Sequence, residues 1–223
     1  EQEKRTKAVF LDLDGTLFTD AKTFSDGNRQ AIEQALEAGH QIVISTGRPL
    51  ASAKMQAKEL GFIRKGCFVI SFNGGEIYDM YRKKSIFKKP LSMPLVRHIF
   101  DEAHRLGLHC QTYSDSEILT EHDTEEVKRY SSITRLPYRV VPDVTAALKS
   151  EPVKVLVVDY DNREHLVDYQ EKTNEWAEGK ADRFFSSNEY LEHVAPGISK
   201  GAAVAFLCEY TGIPLCNSVA ADD

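Results

Sequence analysis

Short apolar runs, separated by stretches with helical periodicity, organise the first part of the chain and recur at its end. They occupy Ala8–Leu11, Gln41–Ser45, Cys67–Ser71 and Ser218–Ala221. Runs of this length, bounded by turn residues, predict buried strands of a parallel sheet. In open α/β sheets the chemistry takes place in the crevice beyond the carboxyl ends of such strands. Polar residues that follow these runs directly are therefore the first candidates for a functional site.

Helices are predicted between the strands. Ser25 can cap a helix over residues 26–38, whose apolar residues recur at helical spacing. Pro49 suits the first turn of a second helix that reaches about Leu60. A third helix is predicted from Gly197 to about Tyr210. Strands that alternate with helices predict an α/β core built on a parallel sheet with helices on both of its faces.

The pattern changes after the proline-containing stretch Pro90–Pro94. Beyond it, short paired strands and helices alternate irregularly up to a strand near Arg183–Ser186, which predicts an α+β layer. We therefore expect an inserted domain over residues 89–188, between core segments 1–88 and 189–223. The strand predicted at Leu191–Val194, which contains His193, is assigned to the returning core.

Two aspartates follow the first strand at a spacing of two, Asp12 and Asp14. Their side chains share one face of an extended chain, where two unpaired carboxylates would repel each other. A Mg²⁺ ion, which takes one or two protein carboxylates together with substrate phosphate, would remove that repulsion. One carboxylate could then attack phosphorus while the other shuttles a proton. The alternative is an ordinary strand followed by an acidic turn.

The stretch Asp12–Leu17 resembles the signature of the haloacid dehalogenase superfamily, whose phosphatases use an aspartate nucleophile and Mg²⁺. The later motifs resemble its Cof-like branch, which implies a Rossmann-like core and a large α+β cap. The resemblance implies that Asp12 is the nucleophile and a metal ligand. It also implies that Asp14 is the general acid and base, with its backbone carbonyl on the metal.

A second motif lies where the strand Gln41–Ser45 meets the following helix, a natural anion site. The hydroxyl of Thr46 could bind a phosphate oxygen, and Arg48 could bind a charged group of the substrate. The segment from Ser45 to Pro49 resembles the Cof-like second motif, which implies a catalytic Thr46 with Gly47 and Arg48 in substrate binding. Further on, Asn73 precedes Gly74, an ordinary tight-turn signal. The resemblance places Asn73 near the rim of the active site.

Lys200 stands in the first turn of a helix, where the macrodipole disfavours a cation. A lysine directed at the crevice would offset the charge of Asp12 and of the phosphate. The stretch Gly197–Gly201 resembles the lysine motif of the family, which implies a catalytic Lys200. At the end of the sequence, Asp223 matches the first carboxylate of the family's last metal motif. Asp222, where the family usually has glycine, is the weaker candidate ligand.

The bulk composition excludes several classes. A net charge of −6 with a pI near 5.7 argues against a nucleic-acid or membrane-surface partner, which would require a basic patch. The cysteines have no paired spacing, so we expect reduced thiols in a cytoplasmic protein and no zinc site. No apolar stretch reaches the roughly 20 residues of a membrane span. The four cysteines are Cys67, Cys110, Cys208 and Cys216.

These features together predict a Mg²⁺-dependent phosphatase for a small phosphate ester, with sugar phosphates first among the substrates. We expect a monomer or a weak homo-oligomer. Three alternatives stay open at this stage. One is a phosphotransferase or mutase that uses the same chemistry. The second is a non-catalytic binding module, favoured if the C-terminal metal motif is incomplete, and the third is a receiver-like domain phosphorylated on aspartate.

Overall fold

Two six-stranded sheets divide the chain in the computed structural model, which describes residues 6–18 and 24–221. The first sheet belongs to a unit formed by the chain up to Lys88 and from Ser199 onward, and the second belongs to Lys89–Ile198. The elements follow one another as β1 Ala8–Leu11, α1 Asp26–Glu37, β2 Gln41–Ser45, α2 Leu50–Glu59, β3 Cys67–Ser71, β4 Glu76–Asp79, β5 Lys84–Lys88, α3 Met93–Arg105, β6 His109–Tyr113, β7 Ile118–Thr120, α4 Glu125–Thr134, β8 Tyr138–Val140, α5 Val144–Ala147, β9 Lys154–Val158, α6 Arg163–Lys172, α7 Asn174–Ala177, β10 Asp182–Ser187, β11 Tyr190–Val194, α8 Lys200–Thr211 and β12 Ser218–Ala221.

The first sheet has the order β12-β1-β2-β3-β4-β5. Its first four strands are parallel, and β4 and β5 extend it as an antiparallel hairpin. Alternate strand residues bury opposite faces: Ile42 and Ile44 join one apolar cluster with α1 and α2, whereas Phe10 and Val43 join another with α8. Helices therefore cover both faces, which confirms the predicted α/β fold class.

The second sheet has the order β10-β11-β9-β6-β7-β8. Its strand pairs are antiparallel except for β7 with β8. One expectation fails here: β11, Tyr190–Val194, was assigned to the core, but it pairs with β9 and β10. The inserted unit therefore extends to Ile198, about ten residues beyond the expected boundary at 188. The apolar pattern of a strand does not show which of two sheets supplies its neighbours.

Buried polar groups connect β11 to its neighbours in the second unit. Glu192 of β11 reaches Lys154 of β9 with an Oε2–Nζ distance of 2.9 Å, and both side chains are almost fully buried. The next residue, His193, places its Nε2 3.2 Å from the hydroxyl of Tyr169. Burial lowers the pKa of His193 to about 3, so its imidazole is neutral at physiological pH. These buried groups depend on one another for their hydrogen bonds and charge balance.

No helix among the described residues combines the length and the apolar character that a membrane crossing requires. The cysteines, which carry no disulfide, are buried at positions 67, 110 and 208 and exposed at position 216.

Candidate active site

The end of β1 places both aspartates of the first motif. The amide of Asp12 donates to the carbonyl of Ala221 at 3.1 Å, so Asp12 continues the pairing of β1 with β12. Its side chain is only 11% exposed. The chain then turns back at Gly15, whose φ of 81° is readily adopted only by glycine. The amide of Leu17 closes this turn on the Asp12 carbonyl at 3.1 Å.

Lys200 lies directly against Asp12. Its Nζ is 2.9 Å from Oδ1 of the carboxylate, although the two residues are far apart in the sequence. Lys200 is the first residue of α8, and Ser199 caps that helix by accepting a hydrogen bond from Ala202. The negative charge of Asp12 compensates for placing a cation at the positive end of a helix. The structure thus joins two residues that the sequence placed at the same edge.

A glycine that the sequence reasoning gave no role in packing lies where the turn after β3 meets the start of α8. Gly74 follows β3 in a short 3₁₀ turn and has a φ of 107°. A Cβ atom at this position would lie 2.2 Å from the backbone oxygen of Ser199. Only glycine allows the turn to approach the start of α8 so closely. The Asn-Gly-Gly sequence signals a turn, but it does not show what packs against it.

Arg48 binds Asp14 through two parallel hydrogen bonds. Its Nε donates to Oδ2 and its second guanidinium nitrogen donates to Oδ1, both at 2.8 Å. The Arg48 side chain is 13% exposed, and that of Asp14 is 39% exposed. In the structure its guanidinium holds the second aspartate, and the binding of substrate by Arg48 stays a prediction from the sequence. Paired charge-assisted bonds of this kind fix the orientation of a carboxylate.

Thr46 and Asn73 connect the loop after β2 to the turn after β3. The Thr46 hydroxyl accepts from the amide of Arg48 at 3.2 Å, and the Thr46 carbonyl accepts from the amide of Asn73 at 3.1 Å. Asn73 has left-handed backbone angles, which asparagine tolerates better than most residues. A Cβ on Gly47 would lie 2.8 Å from Oδ1 of Asn73. These residues therefore share one tightly packed corner.

This corner contains an available hydrogen-bond donor. The side-chain Nδ2 of Asn73 is buried and has no hydrogen-bond partner among the described residues. A buried donor without a partner is costly, so its retention calls for a reason. An anion at the end of β2 and β3 would supply the missing acceptor.

The metal ligands predicted at Asp222 and Asp223 lie outside the described residues. Within residues 6–18 and 24–221, no three His, Cys, Asp or Glu side chains converge to hold a metal. The described part of the chain supplies two possible metal ligands, the Asp12 carboxylate and the Asp14 backbone carbonyl. Both are hard oxygen donors of the kind that Mg²⁺ prefers, and Mg²⁺ characteristically takes few protein ligands. The donor chemistry present therefore fits this ion.

The two bonds from Arg48 to Asp14 lead to a prediction about turnover. Replacing Arg48 by Met should lower kcat by about 100-fold and change KM by less than about threefold, because Asp14, the carboxylate expected from the sequence to carry the proton, loses its fixed orientation. Arg64→Met is a matched control, since Arg64 makes a comparable pair with Glu33 on the surface of the core unit. Steady-state kinetics on an aryl phosphate separate the two constants. A rise in KM at unchanged kcat would instead assign Arg48 to substrate binding.

Comparison with known proteins finds a family profile and relatives that match nearly the whole chain. The profile of the haloacid dehalogenase-like hydrolases matches residues 9–223. A protein of Streptococcus pyogenes serotype M6, named as a proposed phosphatase, is 28% identical over 97% of this chain and 80% of its own length. A Bacillus subtilis 5-amino-6-(5-phospho-D-ribitylamino)uracil phosphatase is 24% identical over 99% of this chain and 81% of its own.

A solved structure shows the same similarity in three dimensions. The crystal structure of a haloacid dehalogenase-like hydrolase from Bacteroides thetaiotaomicron superposes with a TM-score of 0.91 at 28% identity. The match covers 98% of this chain and 82% of that one.

Proposed function

The chain belongs to the haloacid dehalogenase-like hydrolases, and we propose that it is a Mg²⁺-dependent phosphatase of small phosphorylated metabolites. The observation that carries this proposal is the contact of 2.9 Å between Lys200 Nζ and the Asp12 carboxylate at the end of β1. A buried carboxylate at a strand end, oriented by a cation, is suited to act as a nucleophile. The Asp14 carboxylate, two residues later, is held separately by Arg48.

The proposed reaction has two steps. In the first, an oxygen of Asp12 attacks phosphorus, the ester P–O bond breaks, and protonated Asp14 gives its proton to the leaving oxygen. In the second, the Asp14 carboxylate takes a proton from water as the water oxygen attacks the aspartyl-phosphate. The bond between phosphorus and Asp12 then breaks, which releases inorganic phosphate and restores both side chains.

The remaining site residues hold the phosphoryl group in this proposal. The Thr46 hydroxyl and the unpartnered Asn73 Nδ2 are hydrogen-bond donors for its oxygens. Gly47, which has no side chain, leaves room beside Asn73. Lys200 stabilises the negative charge that develops between Asp12 and phosphorus. Fixed donors of this kind lower the barrier because they need no reorganisation during the reaction.

The Mg²⁺ ion would be held by the Asp12 carboxylate, the Asp14 carbonyl and Asp223, with Asp222 as a weaker ligand. When bound, it supplies positive charge that neutralises the phosphate oxygens and favours attack by an anionic carboxylate.

We propose phosphate esters of sugars or sugar alcohols as the substrate class. The Bacillus subtilis relative carries in its name a substrate with phosphate on a ribityl chain. The net charge of −6 gives no general attraction for an anion, so recognition depends on local groups such as Lys200.

Hydrolysis assays test this proposal. We expect release of p-nitrophenol from p-nitrophenyl phosphate that disappears on chelation and returns when Mg²⁺ is added. A panel of pentose, hexose and ribitol phosphates, followed by phosphate release, then identifies the preferred class. Activity that persists in the presence of a chelator would contradict the metal requirement. No hydrolysis of either the aryl phosphate or the panel would contradict the phosphatase assignment.

A further inference from the structure

A cavity lies in the core unit at the edge of the sheet opposite Asp12. Its volume is about 790 Å³, and its lining includes the residues at the starts of β2 and β3 and at the end of α8. The parallel strands separate it from the catalytic edge by about 15 Å, since each strand residue advances about 3.3 Å. None of the residues that form the proposed phosphatase site lines it.

Three nitrogen donors surround this cavity. Lys65 is exposed and makes no hydrogen bond or ion pair with the described part of the chain. His40 accepts a hydrogen bond from the Lys7 amide on Nδ1 at 3.2 Å, which leaves Nε2 as the ring nitrogen that can donate. The guanidinium of Arg82 lies on the same rim. Together they offer several N–H donors on one rim, two of them on cationic side chains.

The acidic residue at this rim offsets the charge of Arg82 but not that of Lys65. The Oδ1 atom of Asp79 accepts hydrogen bonds from the amides of Tyr81 and Arg82 at 2.9 and 2.8 Å. Its carboxylate therefore holds the turn after β4, and its Oδ2 is 3.8 Å from the Arg82 guanidinium. Lys65 is left as the cation that no carboxylate of the cavity neutralises.

Two tyrosine rings complete the lining. Tyr81 is 60% exposed and Tyr210 is 43% exposed. The Tyr210 ring stacks on Phe206, with an interplanar angle of 13°, and its hydroxyl accepts from Arg82 at 3.0 Å. Tyr210 is therefore held on two sides while part of its surface stays open. An exposed aromatic ring held beside cationic donors is suited to stack a planar heterocycle.

We propose that this cavity binds a nucleoside monophosphate. Lys65, His40 and Arg82 bind the phosphate, and the base stacks on Tyr210 with Tyr81 at the opposite rim. The volume lies in the range of small-molecule sites, roughly 300–1,000 Å³, and is far larger than a single phosphate needs. The ligand requires both an anionic group and a planar ring, because the lining offers partners for each.

Amide NMR spectroscopy with AMP as the probe tests the proposal. Titration of the ¹⁵N-labelled full chain, as wild type and as Asp12→Asn to prevent turnover, should shift the amides of Gly39 and Gly66 in a saturable manner. These glycines line the cavity, whereas Gly47 and Gly74 report on the phosphatase site. We expect a Kd of about 1 mM or tighter, with adenosine and inorganic phosphate at least about tenfold weaker.

Variants locate the binding and separate it from hydrolysis. Lys65→Met and Tyr210→Leu should each weaken AMP binding by about tenfold, whereas Lys58→Met, an exposed lysine away from the cavity, should not. Hydrolysis of p-nitrophenyl phosphate should be unchanged in Lys65→Met, so this proposal and the phosphatase assignment can fail independently. The proposal is wrong if AMP shifts only Gly47 and Gly74, or if no shift saturates by about 10 mM. Equal affinity for inorganic phosphate would also overturn it.

Discussion

Replacing Asp12 by Asn should lower kcat on p-nitrophenyl phosphate by about 10⁴-fold or more, because removal of a covalent nucleophile is among the most severe active-site changes. The amide keeps the shape of the carboxylate but lacks its negative charge and its nucleophilic oxygen. Acid quenching during turnover should trap phosphate bound to the wild-type protein and none bound to the variant. Steady-state rates and the trapped phosphate are both measured.

Asp26→Asn is the matched control, since Asp26 is an exposed residue in the first turn of α1. We expect it to keep wild-type kcat. Circular dichroism should show that Asp12→Asn is folded, which attributes its inactivity to chemistry. If the variant kept a tenth of the wild-type rate, or if wild type formed no acid-stable phosphoprotein, the assignment of Asp12 as the nucleophile would be wrong.

The buried ion pair in the second unit carries the largest expected effect on stability. Replacing Lys154 by Met should lower the free energy of unfolding by about 3–5 kcal/mol, because it leaves the Glu192 carboxylate buried without its cation. Lys154 and Glu192 side chains are 1% and 4% exposed, and their charged atoms lie 2.9 Å apart. Burial lowers the pKa of Lys154, but the neighbouring Glu192 carboxylate raises it. The net result is a pKa above the ordinary value of a lysine.

Two further variants separate the charge effect from packing. Lys172→Met is the control, because Lys172 pairs with Asp168 at the surface of α6 and both side chains are about half exposed. It should change stability by less than about 1 kcal/mol. The double variant Lys154→Met/Glu192→Leu should recover most of the lost stability, since an apolar pair needs no compensating charge. Urea denaturation measures all of these variants, and a double variant no more stable than Lys154→Met would contradict the argument.

Much of the core could be predicted from local patterns alone. The runs at Ala8–Leu11, Gln41–Ser45 and Cys67–Ser71 become strands with those bounds, and Ser25 caps α1 by accepting from the amide of Asn28. These features depend on residues near one another in the chain: apolar periodicity, a capping side chain and turn-forming glycines. Because strands of a parallel sheet end at a common edge, the residues that follow them are brought together by the strand pattern itself.

The contacts inside that edge were not predictable in the same way. The sequence placed Arg48 near an anion, and the structure adds the bidentate contact of its guanidinium with Asp14. The role of Gly74 depends on the backbone of Ser199, which is distant in sequence. Such contacts require the side-chain rotamers and the close approach of two elements, and neither appears in a pattern of residue types.

Local sequence was therefore sufficient to predict which segments of the core form strands and helices, which residues lie at the carboxyl edge of the first sheet, and the family to which the chain belongs. Tertiary structure alone decided that β11 joins the second sheet, that Arg48 pairs with Asp14, and that Gly74 packs against the backbone of Ser199. The physical reason is the distance along the chain over which each effect acts. Propensity, capping and periodicity act over a few neighbouring residues, whereas sheet membership and ion pairing are settled by the total burial and charge balance of segments brought together only when the chain folds.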